Sequence, residues 1–165
     1  GYVKTTMTGA NLNTFTVDKT APGTSWGSVY AQFTQRTTDI ADASMGLSIK
    51  RELLYDGELK VGSKVKVRIT ITADRDYDFV QVVDKRAACM EPVNQLTGYR
   101  GGFYCSPRDN ATYYYADMMP KGTHVVESTF YVDRPGTFTT GTCTVQCAYS
   151  PAYMARTKAL TITIK

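Results

Sequence analysis

The sequence predicts an all-β fold, an antiparallel β-sandwich. Residues 64–72 alternate strictly between apolar and polar side chains, which is typical of a strand with one buried and one wetted face. Val, Thr, Tyr and Phe are abundant, and long runs of helix-forming residues at helical spacing are absent. Turn signals recur at the spacing typical of sandwich strands.

In the N-terminal part, residues 2–17 carry short Thr-rich β segments that break near residues 9–13, and residues 18–25 form a turn-rich linker. Residues 26–34 predict a strand, and we expect Trp26, the only tryptophan, to pack between layers. The polar, small residues 35–46 fit a connection.

In the remaining chain, strands are predicted wherever apolar and β-branched residues alternate between turn signals such as Asp56-Gly57 and Pro135-Gly136. These strands cover residues 47–55, 64–73, 79–83, 112–117, 123–133, 137–149 and 157–164. We expect a bulge at Gly141. Alternation fails over residues 84–111, and because long structureless loops are uncommon, short strand pieces are expected near residues 102–105.

Composition argues against two classes of partner. The formal net charge of +4 is mild, and its Lys and Arg residues are dispersed, whereas a nucleic-acid interface needs a concentrated basic face. No apolar run approaches the roughly 20 residues of a membrane span. Because Gly1 is not preceded by an initiator Met, we expect the chain to be an excised fragment.

Four cysteines leave several interpretations open. Cys143 and Cys147 lie four apart in a predicted strand, roughly 13 Å between Cα atoms, whereas a disulfide needs about 7 Å or less. Their shared face suggests buried thiols. A single disulfide such as Cys105 to Cys143 stays open. Zinc is disfavoured, since no C-x-x-C pair occurs and His124 is the only histidine.

No catalytic, cofactor or metal residue is predicted. His124 starts a strand and is interpreted as structural or surface, and no G-x-S-x-G motif is present. Asp74, Asp76 and Asp78 alternate as calcium ligands do, but Phe79 and Lys85 occupy the positions where a calcium loop needs Gly and Glu. We therefore expect a charged hairpin turn.

An aromatic loop supplies the candidate interface. Its members are Tyr99, Arg100, Phe103 and Tyr104, with Tyr114 added from the neighbouring strand. Aromatic side chains with a polar tip are enriched at interfaces. The alternative is an ordinary sandwich in which Tyr113 and Tyr115 are core and Tyr114 is surface.

Residues 59–99, running from Leu59 through Asp74-Arg75-Asp76-Tyr77 and Glu91-Pro92 to Tyr99, resemble the C-terminal macroglobulin-type domain of bacterial alpha-2-macroglobulin-like proteins, especially the Bacteroides type. The resemblance continues at residues 26–33, 113–127 and 135–151, including Gln146-Cys147-Ala148-Tyr149. It implies a macroglobulin or immunoglobulin-like sandwich over residues 39–165. Residues 1–38 are then N-terminal strands and a linker that complete the preceding domain.

The same resemblance implies a function. Such proteins trap proteases after cleavage of a bait region and carry a thioester in a separate helical domain. This fragment is then a non-catalytic, interdomain-contact domain of an exported protease inhibitor in the periplasm or outer envelope. Its partners would be neighbouring domains and, through the full-length protein, target proteases. Cys89-Met90-Glu91-Pro92 differs from the family's Cys-x-Glu-Gln because Pro92 has no amide to form the thioester. The alternative function is a carbohydrate- or surface-binding sandwich that uses the aromatic loop.

Overall fold

The structure, a computed structural model, describes residues 2–7 and 16–165. Within these residues the regular elements are one short 3-10 helix and thirteen β-strands. The 3-10 helix spans Thr37–Asp39. The strands are β1 Ala43–Met45, β2 Leu47–Leu54, β3 Lys64–Ala73, β4 Tyr77–Lys85, β5 Met90–Pro92, β6 Gly98–Arg100, β7 Phe103–Pro107, β8 Ala111–Met119, β9 Gly122–Val132, β10 Gly136–Thr139, β11 Cys143–Cys147, β12 Met154–Thr157 and β13 Thr161–Ile164.

The first compact unit, residues 1–33, contains no strand within its described residues 2–7 and 16–33. The predicted strand at 26–34 is therefore wrong, as is the expected packing of Trp26, which is 95% exposed. A strand needs a neighbour for its backbone N–H and C=O groups, and the described part of this segment pairs with none. The expected break at residues 9–13 lies outside the described residues.

The second unit, residues 34–165, is an antiparallel β-sandwich, as predicted. Its main sheet has the strand order β5-β9-β3-β2-β1-β12-β11-β4-β8-β7-β6. The strands from β5 to β2 form one layer, and those from β12 to β6 form the other. A separate two-stranded sheet pairs β10 with β13.

A bend at Gly46 joins the two layers. The strand before it, β1, pairs with β12, and the strand after it, β2, pairs with β3. Gly46 has a φ of 71°, a conformation that costs a residue with a Cβ. A Cβ there would also lie 2.2 Å from the Tyr77 hydroxyl oxygen and 2.9 Å from a ring carbon of Tyr153. Glycine therefore permits one chain segment to pass from one layer to the other.

The apolar core follows the alternation of β3. Val65, Val67, Ile69 and Ile71 are all at most 2% exposed, and they face buried residues of β4 and β11 in one continuous cluster. Burying a side chain of this size stabilises the fold by about 1.5–3 kcal/mol. The half-buried strand predicted from residues 64–72 is confirmed.

A buried ion pair crosses this core. Arg51 on β2 and Asp84 on β4 are 2.9 Å apart between Nη1 and Oδ1, with side chains 1% and 2% exposed. Arg51 also donates to Thr140 Oγ1 at 2.6 Å and to the carbonyl oxygen of Gly141 at 2.7 Å. Further acceptors are the carbonyl oxygens of Lys85 and Lys158. One guanidinium thus holds the β10–β11 and β12–β13 connections against both layers.

This cluster explains where the predicted strands divide. The predicted strand at 137–149 is two strands, because residues 140–142 turn inward to reach Arg51 and each other. The predicted strand at 157–164 includes only the last residue of β12 and all of β13, and Lys158 is bonded to Arg51 in the interruption between them. The expected strand piece near residues 102–105 is confirmed as β7.

All four cysteines are buried and unpaired. Cys143 and Cys147 share the inward face of β11, as predicted. Burial raises the pKa of Cys143 well above its ordinary value, so this thiol stays protonated at neutral pH. Buried thiols, one of the interpretations left open, are what the structure shows, and Cys105 and Cys143 form no disulfide in it.

Candidate interdomain surface

The two layers of the sandwich expose very different outer faces. On the β2–β3–β9 layer, Glu52, Arg68 and Glu127 stand opposite one another across three strands. Arg68 Nε lies 2.7 Å from Glu127 Oε1, and Lys66 Nζ lies 3.3 Å from Glu127 Oε2. We call Glu52, Arg68 and Glu127 the charged row. Exposed, paired charges of this kind are typical of a solvated surface.

The other outer face carries a row without charge. Its members face one another in register across seven strands, from β1 to β6. We call this set the neutral row: Met45, Met154, Gln146, Gln81, Tyr115, Tyr104 and Tyr99. Interface cores are enriched in Tyr and Met and depleted of Lys, Glu and Asp, so the neutral row has the composition of a contact surface.

Tyrosine packing gives one end of the neutral row a defined shape. Tyr99 and Tyr104 meet edge to face with ring centroids 5.3 Å apart. Tyr113 and Tyr115 stack almost parallel at 6.3 Å. These pairs hold the rings in place on β6, β7 and β8, so less rotamer entropy is lost when a partner covers them.

Two of the five predicted interface residues, Tyr99 and Tyr104, lie at this surface. Tyr99 is 76% exposed and Tyr104 is 38% exposed. Arg100 is half-buried, and its Nη2 donates to the carbonyl oxygen of Leu96 at 2.7 Å. Arg100 therefore stabilises the loop that precedes β6.

The other two are core residues, and their assignment to the interface is wrong. Phe103 and Tyr114 are each 2% exposed. Tyr114 faces inward because β8 alternates, and its hydroxyl forms a 2.7 Å hydrogen bond with Ser128 Oγ in the opposite layer. The alternative in which Tyr114 is surface and Tyr113 and Tyr115 are core is wrong for the same reason, since Tyr115 is 39% exposed.

The turn between β3 and β4 is charged, as predicted, but it is not a hairpin turn, because β3 pairs with β2 and β9 whereas β4 pairs with β8 and β11. Both Asp74 oxygens accept hydrogen bonds from Arg75, and the Tyr77 hydroxyl donates to Asp74 at 2.6 Å. The Arg75 hydrogen bonds, with that of Tyr77, lower the pKa of Asp74 to about 2. Burial, with the Asp74 contact, raises the pKa of Tyr77 to about 12. Arg75 also lies over the Tyr153 ring, 5.4 Å from its centroid.

Sequence reasoning missed an aromatic pair beside this turn. Phe79 and Tyr149, which we call the aromatic corner, meet edge to face at 5.1 Å. Their exposed fractions are 51% and 80%. Phe79 has a φ of 53°, a left-handed conformation that costs a residue with a Cβ about 1–2 kcal/mol. No sequence pattern signals this, because the kink arises where Tyr77 and Val80 both face inward, three residues apart.

The other residues considered for catalysis or metal binding are His124 and Cys89, and their surroundings indicate structural roles. The His124 ring nitrogen Nε2 lies 2.7 Å from the Pro120 carbonyl oxygen. Cys89 is fully buried, and burial raises the pKa of its thiol. Across residues 2–7 and 16–165, no three His, Cys, Asp or Glu side chains are grouped so as to hold a metal ion. Nor does a helix in this part of the chain have the length and apolar content to cross a membrane.

The antiparallel two-layer sandwich is the fold of a macroglobulin-type, immunoglobulin-like β-domain. The family model described as the bacterial alpha-2-macroglobulin MG10 domain matches residues 32–152. The chain belongs to this family. A search of curated proteins found no match.

Solved structures agree on the fold. Alpha-2-macroglobulin from Salmonella, reacted with methylamine, superposes with a TM-score of 0.67 at 22% identity, over 77% of this chain and 10% of that one. Trypsin-activated alpha-2-macroglobulin from Escherichia coli gives 0.68 at 17% identity, over 76% and 11%. The Escherichia coli protein activated by porcine elastase gives 0.68 at 20% identity, over 76% and 14%. This chain spans about a tenth of the length of the first two proteins.

Proposed function

We propose that this chain is the C-terminal, interdomain-contact domain of a Bacteroides-type alpha-2-macroglobulin-like protease inhibitor. The parent protein is exported to the periplasm or outer envelope, where it traps target proteases. This domain supports the thioester-bearing region through contacts and does no chemistry itself. The family match and the fold support the domain type. The resemblance in sequence supports the rest.

The neutral row is the observation that carries the contact role. The charged row places paired charges on one outer face. Met45 and Tyr99 instead expose 60% and 76% of their surface on the other. Covering them with a neighbouring domain removes apolar area from water at no cost in buried charge.

The aromatic loop enters this proposal in a corrected form. Tyr99, Tyr104 and Tyr115 contact the neighbour, whereas Phe103 and Tyr114 hold β7 and β8 in the core. Replacing the three exposed tyrosines by Ala in the full-length parent should loosen the domain contact. Hydrogen exchange of β6–β8 amides would then rise, and trapping of a test protease would fall.

A matched control lies on the opposite layer. Replacing Tyr131 and Val125 of β9, which are 40% and 46% exposed, should change neither exchange at β6–β8 nor trapping. The isolated chain carrying the three tyrosine substitutions should keep its melting temperature within a few degrees, because the rings are outside the core. Equal effects of both sets of substitutions would contradict the assignment of the neutral row.

We further propose that residues 1–38 complete the preceding domain. Trp26, Val29, Tyr30 and Phe33 are 68–95% exposed, and an apolar stretch exposed to this degree marks an interaction site. Trp26 is the only tryptophan, so its fluorescence reports on this segment alone. Adding the separately purified preceding domain, with its own tryptophans replaced, should shift the emission to the blue. An unchanged spectrum would show that the segment has another role.

A second candidate function is carbohydrate binding by the same surface. The edge-to-face pair of Tyr99 and Tyr104 favours it, because rigid exposed aromatic rings stack on sugar faces. Titration of the isolated chain with soluble oligosaccharides separates the two functions. Saturable binding that Tyr99→Ala abolishes would favour a glycan ligand over a neighbouring domain.

A further inference from the structure

The aromatic corner lies beside a recess that the neutral row does not include. The recess has a volume of about 400 Å³ and is lined by residues of the β3–β4 and β11–β12 turns. The lining residues include Asp76, Asp78, Phe79, Tyr149 and Ser150. Its walls come from the β3–β4 turn, which connects the two layers, and from the β11–β12 hairpin.

The position of Phe79 is not explained by the core. Half of its surface is in solvent, and its left-handed φ would suit Gly or Asn better. The carbonyl oxygen of Phe79 accepts a hydrogen bond from the Ala148 N–H at 2.8 Å, which fixes the ring next to Tyr149. Unfavourable backbone conformations that a fold maintains are concentrated at binding sites.

The charge around the two rings is negative. Asp76 and Asp78 line the recess. Asp117 lies between Met118 and Ala116, the β8 partners of Asp78 and Val80. Within the described residues, the carboxylates of Asp78 and Asp117 form no hydrogen bond or ion pair. Arg75, the cation of the recess, is already bonded to both oxygens of Asp74. The unpaired charges are therefore the negative charges of the Asp78 and Asp117 carboxylates.

Aromatic rings beside unpaired carboxylates have the chemistry that recognises a cationic side chain. A guanidinium stacks on a ring face and donates two hydrogen bonds in one plane to carboxylate oxygens, and it is more weakly hydrated than an ammonium. We propose that the recess receives an arginine side chain from a partner polypeptide. This site goes beyond the interdomain role proposed for the neutral row and uses none of its residues.

The first experiment measures binding by the 165-residue chain. The probe is the blocked tripeptide acetyl-Gly-Arg-Gly-amide, followed by amide chemical shifts. Saturable binding in the millimolar range is expected, since one side chain contributes little affinity. Shifts should concentrate on residues 76–79 and 147–150. The same peptide with citrulline, a neutral isostere, should bind at least about tenfold more weakly, because the ion pairs are lost.

Two variants test the residues. Asp78→Asn should weaken arginine binding about three- to tenfold. Phe79→Gly suits the left-handed backbone and keeps the fold, but it removes the ring and should abolish binding. Asp109→Asn, a carboxylate in the β7–β8 turn, is the matched control and should leave binding unchanged.

Three outcomes would overturn the inference. They are equal binding of the citrulline peptide, undiminished binding by Phe79→Gly, and shifts that map outside the β3–β4 and β11–β12 turns. Binding of neutral oligosaccharides at this recess in place of the arginine peptide would also overturn it. Because the neutral row lies outside the recess, loss of arginine binding has no bearing on the tests of Tyr99, Tyr104 and Tyr115.

Discussion

Replacing Arg51 by Met tests whether the buried ion pair holds the two layers together. The substitution keeps an unbranched side chain but removes the hydrogen bonds to Asp84, Thr140 and three backbone carbonyls. Asp84, 2% exposed, is left without its cation. Breaking a buried pair on one side costs about 3–5 kcal/mol. At this chain length that corresponds to a fall in Tm of roughly 6–20 °C.

Urea unfolding followed by circular dichroism measures this cost through the midpoint at constant m-value. Lys50→Met is the matched control, because Lys50 is the next residue on β2 and its ion pair with Glu52 is exposed. It should change the free energy of unfolding by less than about 0.5 kcal/mol. Hydrogen exchange should rise at Thr140 and Gly141 in Arg51→Met alone.

The partner substitution and pH provide further tests. Asp84→Asn together with Arg51→Met should cost less than the sum of the single substitutions, by about 0.5–3 kcal/mol. Burial already raises the pKa of Asp84, and Arg51 opposes that rise. Without Arg51, the raised pKa of Asp84 makes this carboxyl bind a proton in the folded state at a pH where it is ionised in the unfolded state. The loss of stability in Arg51→Met should therefore shrink as pH falls from 7.

Two results would refute this reasoning. One is a cost of Arg51→Met no larger than that of Lys50→Met. The other is strict additivity of the Arg51 and Asp84 substitutions. Either would mean that the layers are held by apolar packing and that the guanidinium only fills space.

Three further substitutions test the local geometry. Gly46→Ala should destabilise the chain by about 2–4 kcal/mol in thermal unfolding, because it adds a left-handed Cβ and a clash with Tyr77; an effect below about 1 kcal/mol would contradict the layer-switch assignment. Asp74, whose pKa is lowered by Arg75 to about 2, stabilises the fold above about pH 4, and this contribution is lost as pH falls toward 2; Asp74→Asn should therefore be less stable than the unsubstituted chain at pH 6 and equal to it near pH 2. Tyr114→Phe should cost about 1 kcal/mol in urea unfolding through the lost cross-layer hydrogen bond, whereas Tyr104→Phe should cost nothing measurable.

Much of the fold could be predicted because the alternation in β3 is a local pattern. Strands with such patterns, including β2, β8 and β9, lie within about two residues of their predicted bounds. The segment around Trp26 has a similar pattern but forms no strand in the described residues, because pairing depends on a neighbour and not on the segment itself. The short strand β12 was missed because the break at Pro151 concealed it.

The candidate site was predicted only in part. Aromatic enrichment directed attention to Tyr99 and Tyr104, which are exposed in the structure. It could not separate them from Phe103 and Tyr114. Three consecutive tyrosines contain no alternation, so the strand register alone decides which of them face the core and which face solvent. The aromatic corner depends on the backbone kink at Phe79 and on its contact with Tyr149, which is distant in sequence. Neither feature leaves a local signal in the sequence.

The sequence by itself determined the antiparallel sandwich, the buried face of β3, the charged turn at Asp74 and the family, because each depends on local pattern or on motif order. Only the tertiary structure decided which side chains line up as the neutral row, which tyrosines are exposed, and how the charge of Arg51 is neutralised. These depend on the register between strands distant in sequence. Register is set by how the two layers pack as a whole, and no single segment encodes it.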